Sequence, residues 1–130
     1  MTIEGDVTQA LKNYAPLDSI IGGRVWPSRM PPSGGLPCIV YQRISTVFQQ
    51  SLGRHVVAED VRLQLGVWAK TDDEAAAGAR EAVQAVLTMP LHQTRHVKAT
   101  LIDNEIADWE PSAKLHRRII DIILVSTEAA

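Results

Sequence analysis

Residues 61–74 have the sequence VRLQLGVWAKTDDE, and this stretch decides the fold. Its first part alternates apolar residues with others at a period of two, which predicts a strand over about 58–69 with one buried face. Thr71 is followed three positions later by Glu74, which is the capping-box signature of a helix start. A half-buried strand that leads directly into a capped helix predicts an α+β fold. The side chains predicted to be buried are Val61, Leu63, Leu65, Val67 and Ala69.

The helix that begins after Thr71 should end before Pro90, because proline cannot continue a helix. Its small apolar residues fall on one stripe, which would let the helix lie close to a sheet. That stripe consists of Ala76, Ala79, Val83, Val86 and Leu87.

The remaining periodicities complete the order α-β-β-α-β-β in one domain, residues 1–130. A first amphipathic helix carries its apolar residues at helical spacing up to Tyr14 and should end near Pro16. Further strands are predicted over 38–48, 97–106 and 115–127, and long loops over 26–37 and 49–56. The expected fold is α+β, a mainly antiparallel sheet of about four strands covered by two helices.

The last strand is apolar on both faces. Ile119, Ile123 and Val125 point to one side. The intervening residues Ile120, Ile122 and Leu124 point to the other. Such a strand is either central in a covered sheet or buried by another subunit.

Composition narrows the possible partners. The chain has 130 residues, of which 45% are hydrophobic, and a formal net charge of −2. This balance gives no overall attraction to nucleic acid or to an acidic membrane. A local basic patch remains open at Lys114, His116, Arg117 and Arg118, although the same residues fit alternating exposed positions on a strand. The polar, acidic N-terminus does not have the features of a signal peptide.

The cysteine and the histidines do not form a recognisable catalytic or metal-binding motif. Cys38, between Pro37 and an apolar run, is predicted to be a buried thiol with a raised pKa and not a nucleophile. His92 and His96 have metal-ligand spacing, but a glutamine takes the place of the glutamate that a metalloprotease needs. They also follow Pro90, which makes a helix there improbable.

The acidic residues are explained more simply by structure than by catalysis. Asp72, Asp73 and Glu74 suit a helix start. A second acidic group suits a solvated face, on which Asp103 and Glu105 share one side of a strand. That group consists of Asp103, Glu105, Asp108 and Glu110. We therefore expect no catalytic residue, no metal and no cofactor.

Several segments, in their order along the chain, carry a family resemblance. After the N-terminal helix come 21–27 (IGGRVWP), 36–41 (LPCIVY), the strand 61–69 with its following helix start, and the last strand. In this order the chain resembles the tail-completion, or tail-terminator, proteins of long-tailed bacteriophages and of related prophage and gene-transfer particles. Residues 89–113 are not matched, and Cys38 and Gly66 stand where bulkier or acidic residues are common in that family.

The resemblance implies a structural virion protein without enzymatic activity. It implies a ring, usually a hexamer, that caps the tail tube at the tail–head junction after assembly in the host cytoplasm. The implied partners are other copies of the chain, the tail tube protein, a head-closure or neck protein and, in passing, DNA in the lumen; a membrane is not among them. The residues expected at assembly interfaces are Arg24, Trp26, Arg29, Gln49, Gln50, Leu52, Arg54, Ile120, Ile122 and Leu124.

Two other hypotheses stay open at the level of sequence. The chain could be another neck component, such as a head-closure or adaptor protein. It could also be a small ligand-binding domain or enzyme that uses the region of His92 and His96.

Overall fold

The computed structural model describes residues 3–32, 34–53, 55–89 and 97–127, apart from the side chains of Val97, Lys98 and Thr127. Within these ranges the chain forms three helices and five strands. The helices are α1 (Ile3–Asn13), α2 (Ala15–Ile21) and α3 (Asp72–Leu87). The strands are β1 (Val25–Pro27), β2 (Cys38–Gln50), β3 (Val56–Ala69), β4 (Val97–Glu110) and β5 (Leu115–Thr127).

The strands form one mixed sheet in the order β1-β2-β3-β5-β4. β1 pairs with β2 in parallel, and the other three pairs are antiparallel. The α+β class and the mainly antiparallel sheet are therefore confirmed. The expected count of four strands and two helices is corrected to five and three.

Both additional elements are short and depend on prolines. α1 ends at Asn13, and Pro16, which was expected to mark its end, lies in the first turn of α2, where a missing N–H costs nothing. α2 then ends at Gly22, whose φ of 57° is left-handed. Trp26 and Pro27, expected in a loop, belong to β1 at the edge of the sheet, where strand proline is tolerated.

All three helices cover one face of the sheet and form the core with it. The five apolar residues of β3 that were predicted to be buried are each 0% exposed, and Gly66 on the opposite face is buried as well. α1 contributes Ile3, Val7 and Leu11 to the same core. The capping residue Thr71 accepts a hydrogen bond from the backbone N–H of Glu74 at 3.2 Å, as the capping signature predicted.

α3 is rotated relative to the predicted stripe. Its buried residues are Ala75, Gly78, Ala79, Ala82, Ala85 and Val86. Leu87 was expected in this stripe but is 49% exposed. The rotation lets Gly78 face β3, where an added Cβ would lie 2.8 Å from Cγ1 of Val67. The small residues of α3 therefore let the helix pack closely on the sheet, as expected, and Gly78 lies where the helix contacts Val67 of β3.

The two faces of β5 differ in burial. Ile120, Ile122 and Leu124 are 0% exposed beneath the helices. They were expected at an assembly interface, and this is corrected: they are core residues and cannot contact a partner in the folded chain. Ile119, Ile123 and Val125 are half-buried on the opposite face. That opposite face, which the helices do not cover, is called the uncovered face below.

The strands extend beyond their predicted ends. β2 continues to Gln50 and β3 begins at Val56, so the predicted loop 49–56 is reduced to residues 51–55. β4 continues to Glu110, and the turn to β5 is confined to residues 111–114. The long strands carry the sheet beyond the part that the helices cover.

Candidate assembly and binding surfaces

The uncovered face is held by ion pairs between strands. Arg62 lies 2.9 Å from a carboxylate oxygen of Asp103 and 3.9 Å from one of Asp121. Arg117 pairs with Asp108. The strand acids were interpreted as a solvated face, but Asp103 and Asp108 on this face prove to be partners of arginines on other strands of the sheet.

A β-bulge separates the acids of β4. The pairing register shifts between Ile102 and Asn104. Asp103 consequently pairs on the uncovered face, whereas Glu105 accepts a hydrogen bond at 3.0 Å from Arg118, which lies on the helix side. The two acids were expected to share one side of the strand, and the inserted residue is why they do not.

Both arginines of the basic cluster at the start of β5 are paired with acids within the fold. Arg118 makes a two-pronged contact with Asp72 at the start of α3, at 3.1 and 2.9 Å. The hydrogen bond from Arg118 lowers the pKa of Asp72, and that from Arg117 lowers the pKa of Asp108. His116 packs against Trp109 with ring centroids 4.7 Å apart. These contacts favour the reading of ordinary strand positions over a nucleic-acid patch.

Cys38 is a core residue. It is 0% exposed, and its thiol lies 3.5 Å from the sulfur of Met30. Burial raises the pKa of the Cys38 thiol to about 11, against the opposing effect of the positive charge of Arg24. The thiol is therefore protonated at neutral pH, as the sequence predicted, and is a poor nucleophile.

The hairpin arm, residues 44–57 at the far end of β2 and β3, exposes apolar side chains. Val47 is 59% exposed, Phe48 58% and Leu52 107%. Gln49 and Gln50 are exposed beside them. Arg54 is the only charged residue in this stretch of sequence and lies outside the described residues.

A pocket of about 270 Å³ opens on the uncovered face, near the start of β2. The loop after β1 forms one wall, with Arg29 at its exposed rim. Trp68 forms another wall, and the guanidinium of Arg117 lies 4.8 Å above its ring. The lining residues are Ser28, Arg29, Met30, Val40, Gln42, Gln64, Gly66, Trp68, Arg117 and Ile119.

The expected interface residues are divided among three places. Trp26 lies beside Val40 of the pocket, and Arg29 lines it, whereas Arg24 donates a hydrogen bond to the carbonyl of Pro37 at 2.9 Å and supports the loop. Gln49, Gln50 and Leu52 belong to the arm. The sequence did not single out Gly66 or Arg117 for the pocket, although a glycine inside a strand was a usable signal.

Two absences concern the described part of the chain alone. There, no group of three or more histidine, cysteine or acidic residues is arranged to hold a metal ion. His92 and His96 lie outside it. Among the same residues, no helix is both long and apolar enough to cross a membrane.

Comparison with known proteins agrees with this arrangement. The fold is similar to a chain in a structure described as the virion of native gene transfer agent (GTA) particle, with a TM-score of 0.69 and 16% identity. The similarity covers 96% of this chain and 94% of that chain. No curated protein matches the sequence at a significant level.

A family model described as tail completion protein gp17 matches residues 5–126. Proteins of this family have a structural role in phage tails. Since the match spans nearly the whole sequence, the chain belongs to the tail completion protein gp17 family.

Proposed function

We propose that this chain is the subunit of a ring that caps the finished tail tube and joins it to the neck proteins on the head side. The proposal places it at the tail–head junction, with a six-fold ring as the expected form and DNA passing through the lumen. Family membership supports a tail role, and the surfaces described above support assembly with other proteins.

The hairpin arm is the observation that carries the proposal. Val47 and Phe48 project from opposite faces of β2, since their partners Asp60 and Glu59 on β3 are successive residues. Both are more than half exposed, so neither face of the arm is covered within the described chain. Large apolar side chains exposed on both faces of the arm, with Leu52 exposed between β2 and β3, support a contact with another protein.

The sheet also offers two free edges. β1 pairs only with residues 39–41 of β2, so among the described residues the outer edge of β2 from Gln42 onward has no strand partner. β4 forms the opposite edge of the sheet. Two different edges on one subunit allow a head-to-tail contact, which closes into a ring when the rotation per subunit divides a full turn.

The role proposed here is mechanical and includes no catalytic step. The buried Cys38 and the paired arginines and acids stabilise the subunit, while the arm and the uncovered face make contacts. Joining two structures in this way needs surface area and shape, and the exposed apolar side chains of the arm supply part of that surface.

Electron microscopy of the purified protein, alone and mixed with tail tubes, tests the proposal. We expect rings, and rings at tube ends. The double variant Val47→Thr, Phe48→Ser should fold but form neither. Leu87→Ser, which changes an exposed apolar residue on α3, is the matched control and should assemble normally. A strictly monomeric wild type that ignores tail tubes would exclude the proposal.

Deletion of the gene distinguishes this role from that of another neck component. Loss of a tail-capping ring should give tails of abnormal length. Normal free tails together with heads that leak DNA would instead identify a head-closure or adaptor protein.

A further inference from the structure

Gly66 occupies a position where the fold does not require glycine. It lies inside β3, paired with Val40 on one side and Ile119 on the other, and the register is continuous through it. Its φ is not in the left-handed region, unlike those of Gly22 and Gly23. An added Cβ would meet its nearest heavy atom, Cδ of Arg117, at 3.5 Å, which is ordinary contact.

A glycine inside a strand weakens that strand, and often marks a place where a ligand or another chain approaches closely. Here the missing side chain forms the floor of the pocket on the uncovered face. The volume of about 270 Å³ lies just below the range of about 300–1,000 Å³ for small-molecule sites. The space therefore suits a single inserted side chain better than a cofactor.

The pocket has hydrogen-bond donors in excess. The Nε atom of Arg117 is buried and has no hydrogen-bond partner within the described structure. The same holds for Nε1 of Trp26, next to the pocket residue Val40 on the neighbouring strand. Buried donors are nearly always paired in folded proteins, so the unpaired Nε of the pocket residue Arg117 indicates a missing acceptor.

The charge of the pocket defines that acceptor. Two arginines line it, and no aspartate or glutamate is among the described lining residues. Arg117 already shares its outer nitrogen with Asp108, and its guanidinium lies over the ring of Trp68, whereas its Nε has no partner in the described structure. Arg29 at the rim makes no ion pair in the described part of the chain, so its charge is available to a ligand.

We propose that this pocket binds an acidic side chain, a glutamate or aspartate, presented by a partner protein. The carboxylate would accept hydrogen bonds from Nε of Arg117 and from Arg29, and its aliphatic stem would contact Val40 and Ile119. A nucleic acid fits less well, because Arg62, Arg117 and Arg118 are all paired with acids and leave no basic stripe. The proposal does not depend on ring formation.

The test is an NMR titration of the isotope-labelled protein at a concentration where it is monomeric, without tail tubes. The probe is the blocked peptide acetyl-Ser-Gly-Glu-Gly-Ser-amide, compared with the same peptide carrying glutamine and with inorganic phosphate. The observed signals are the indole N–H of Trp68 and the Nε–H of Arg117, which line the pocket, and the indole N–H of Trp26, on the strand beside the pocket residue Val40. Trp109, which does not line the pocket, is the internal reference.

We expect the glutamate peptide to shift these signals saturably while that of Trp109 stays in place. Binding of the glutamine peptide should be weaker by at least about tenfold, because the charge-assisted hydrogen bonds are lost. Gly66→Val fills the pocket and should abolish the shifts. Arg29→Gln, at an exposed position that does not affect folding, should weaken binding by a similar factor of about ten.

Several outcomes would overturn the proposal. They are no shift with millimolar glutamate peptide, equal binding of the glutamine peptide, and undiminished binding by both Gly66→Val and Arg29→Gln. Phosphate binding as tight as that of the glutamate peptide would show a general anion site and not a protein-docking site. Because the titration needs only the monomer, a negative result leaves the ring proposal to be judged on its own experiment.

Discussion

Arg118 connects three elements through one guanidinium group. It starts on β5, reaches Asp72 at the first turn of α3, and reaches Glu105 on β4. The sequence predicted both halves of this contact separately, as a basic strand start and an acidic helix cap. It could not pair them, because 46 positions separate Arg118 from Asp72 and only the sheet order brings them together.

The lowered pKa of Asp72 predicts how stability depends on pH. A carboxyl whose pKa is lower in the folded state than its unfolded value of about 3.9 stabilises the fold above that value. This contribution is lost as the pH falls through the folded pKa. We expect Asp72→Asn to flatten the loss of stability below about pH 4, measured by urea unfolding followed by circular dichroism.

Asp73→Asn changes an exposed neighbour in the same turn and serves as the control. Asp108, whose pKa is also lowered, should retain its share of the acid dependence in both variants. An identical acid dependence in Asp72→Asn and wild type would contradict the role assigned to the Arg118 contact.

Cys38 predicts slow reaction with thiol reagents. Because its pKa is raised to about 11 and its side chain is 0% exposed, little thiolate is present or accessible at pH 8. We expect labelling by an aromatic disulfide to be slower than in the denatured chain by at least about a hundredfold, since it requires opening of the structure. Absorbance of the released thiolate measures the rate.

The control for Cys38 is the same measurement in denaturant, where the single thiol should react completely. Native labelling as fast as denatured labelling would show that the start of β2 opens freely, which its burial contradicts. The thiol should also oppose stability at high pH, because the unfolded chain loses its proton near pH 9 and the folded one only near 11.

Element boundaries show where sequence patterns succeed and where they fail. β3 was predicted closely because five alternating apolar residues settle its face. The buried face of α3 was predicted less well. Alanines lie on several sides of this helix, so its buried and exposed faces differ little in hydrophobicity, and nothing in the sequence around Gly78 indicates that β3 lies next to it. β1 and α2 were missed because three to seven residues with prolines are too short for periodicity.

Gly78 predicts a coupling between α3 and β3. Alanine at this position gains about 1 kcal/mol of helix propensity, but its Cβ would lie 2.8 Å from the stiff side chain of Val67. Overpacking of this kind costs about 1–3 kcal/mol, so we expect Gly78→Ala to destabilise by about 1 kcal/mol in urea unfolding.

A double-mutant cycle isolates that contact. In Gly78→Ala combined with Val67→Ala, the loss should be smaller than the sum of the single losses by about 1 kcal/mol. Ala77→Gly, at an exposed position of the same helix, measures the propensity term alone. Additive losses would mean that the two elements can separate slightly at no cost.

At the scale of the whole molecule, one face of the sheet is buried in the core and the other face is available to contact partner proteins. The helices bury one face, and the arm, the edges and the pocket lie beyond them. The sequence indicated the excess of apolar surface on β5 but assigned it to the wrong face. Alternation along a strand shows which residues share a face. It does not show which of the two faces the helices cover, because that depends on the long-range order of the strands.

Shortening the arm tests whether the molecule separates folding from assembly. Replacing residues 51–55 by Asn-Gly should close a tight hairpin with strands unchanged. We expect the melting temperature to stay within a few degrees, since the tip is exposed. Self-association, measured by sedimentation, should weaken by at least about tenfold through loss of Leu52.

A chain of wild-type length with Leu52→Ala is the companion variant, because it removes the same side chain without changing the loop. Unchanged association of both variants would assign the contact to the strand edges and not to the tip. A large fall in melting temperature for the shortened chain would show that the arm belongs to the folding unit.

The exposed arm also bears on how the subunit is supplied to growing particles. A free subunit with uncovered apolar residues and unpaired strand edges collides unproductively with its own kind, and the frequency of such encounters rises with concentration. Production in proportion to the number of tails, or a chaperone that shields residues 44–57, would keep the pool of free subunits usable. Overexpression without tail tubes should therefore yield aggregates that co-expression with tail tubes prevents.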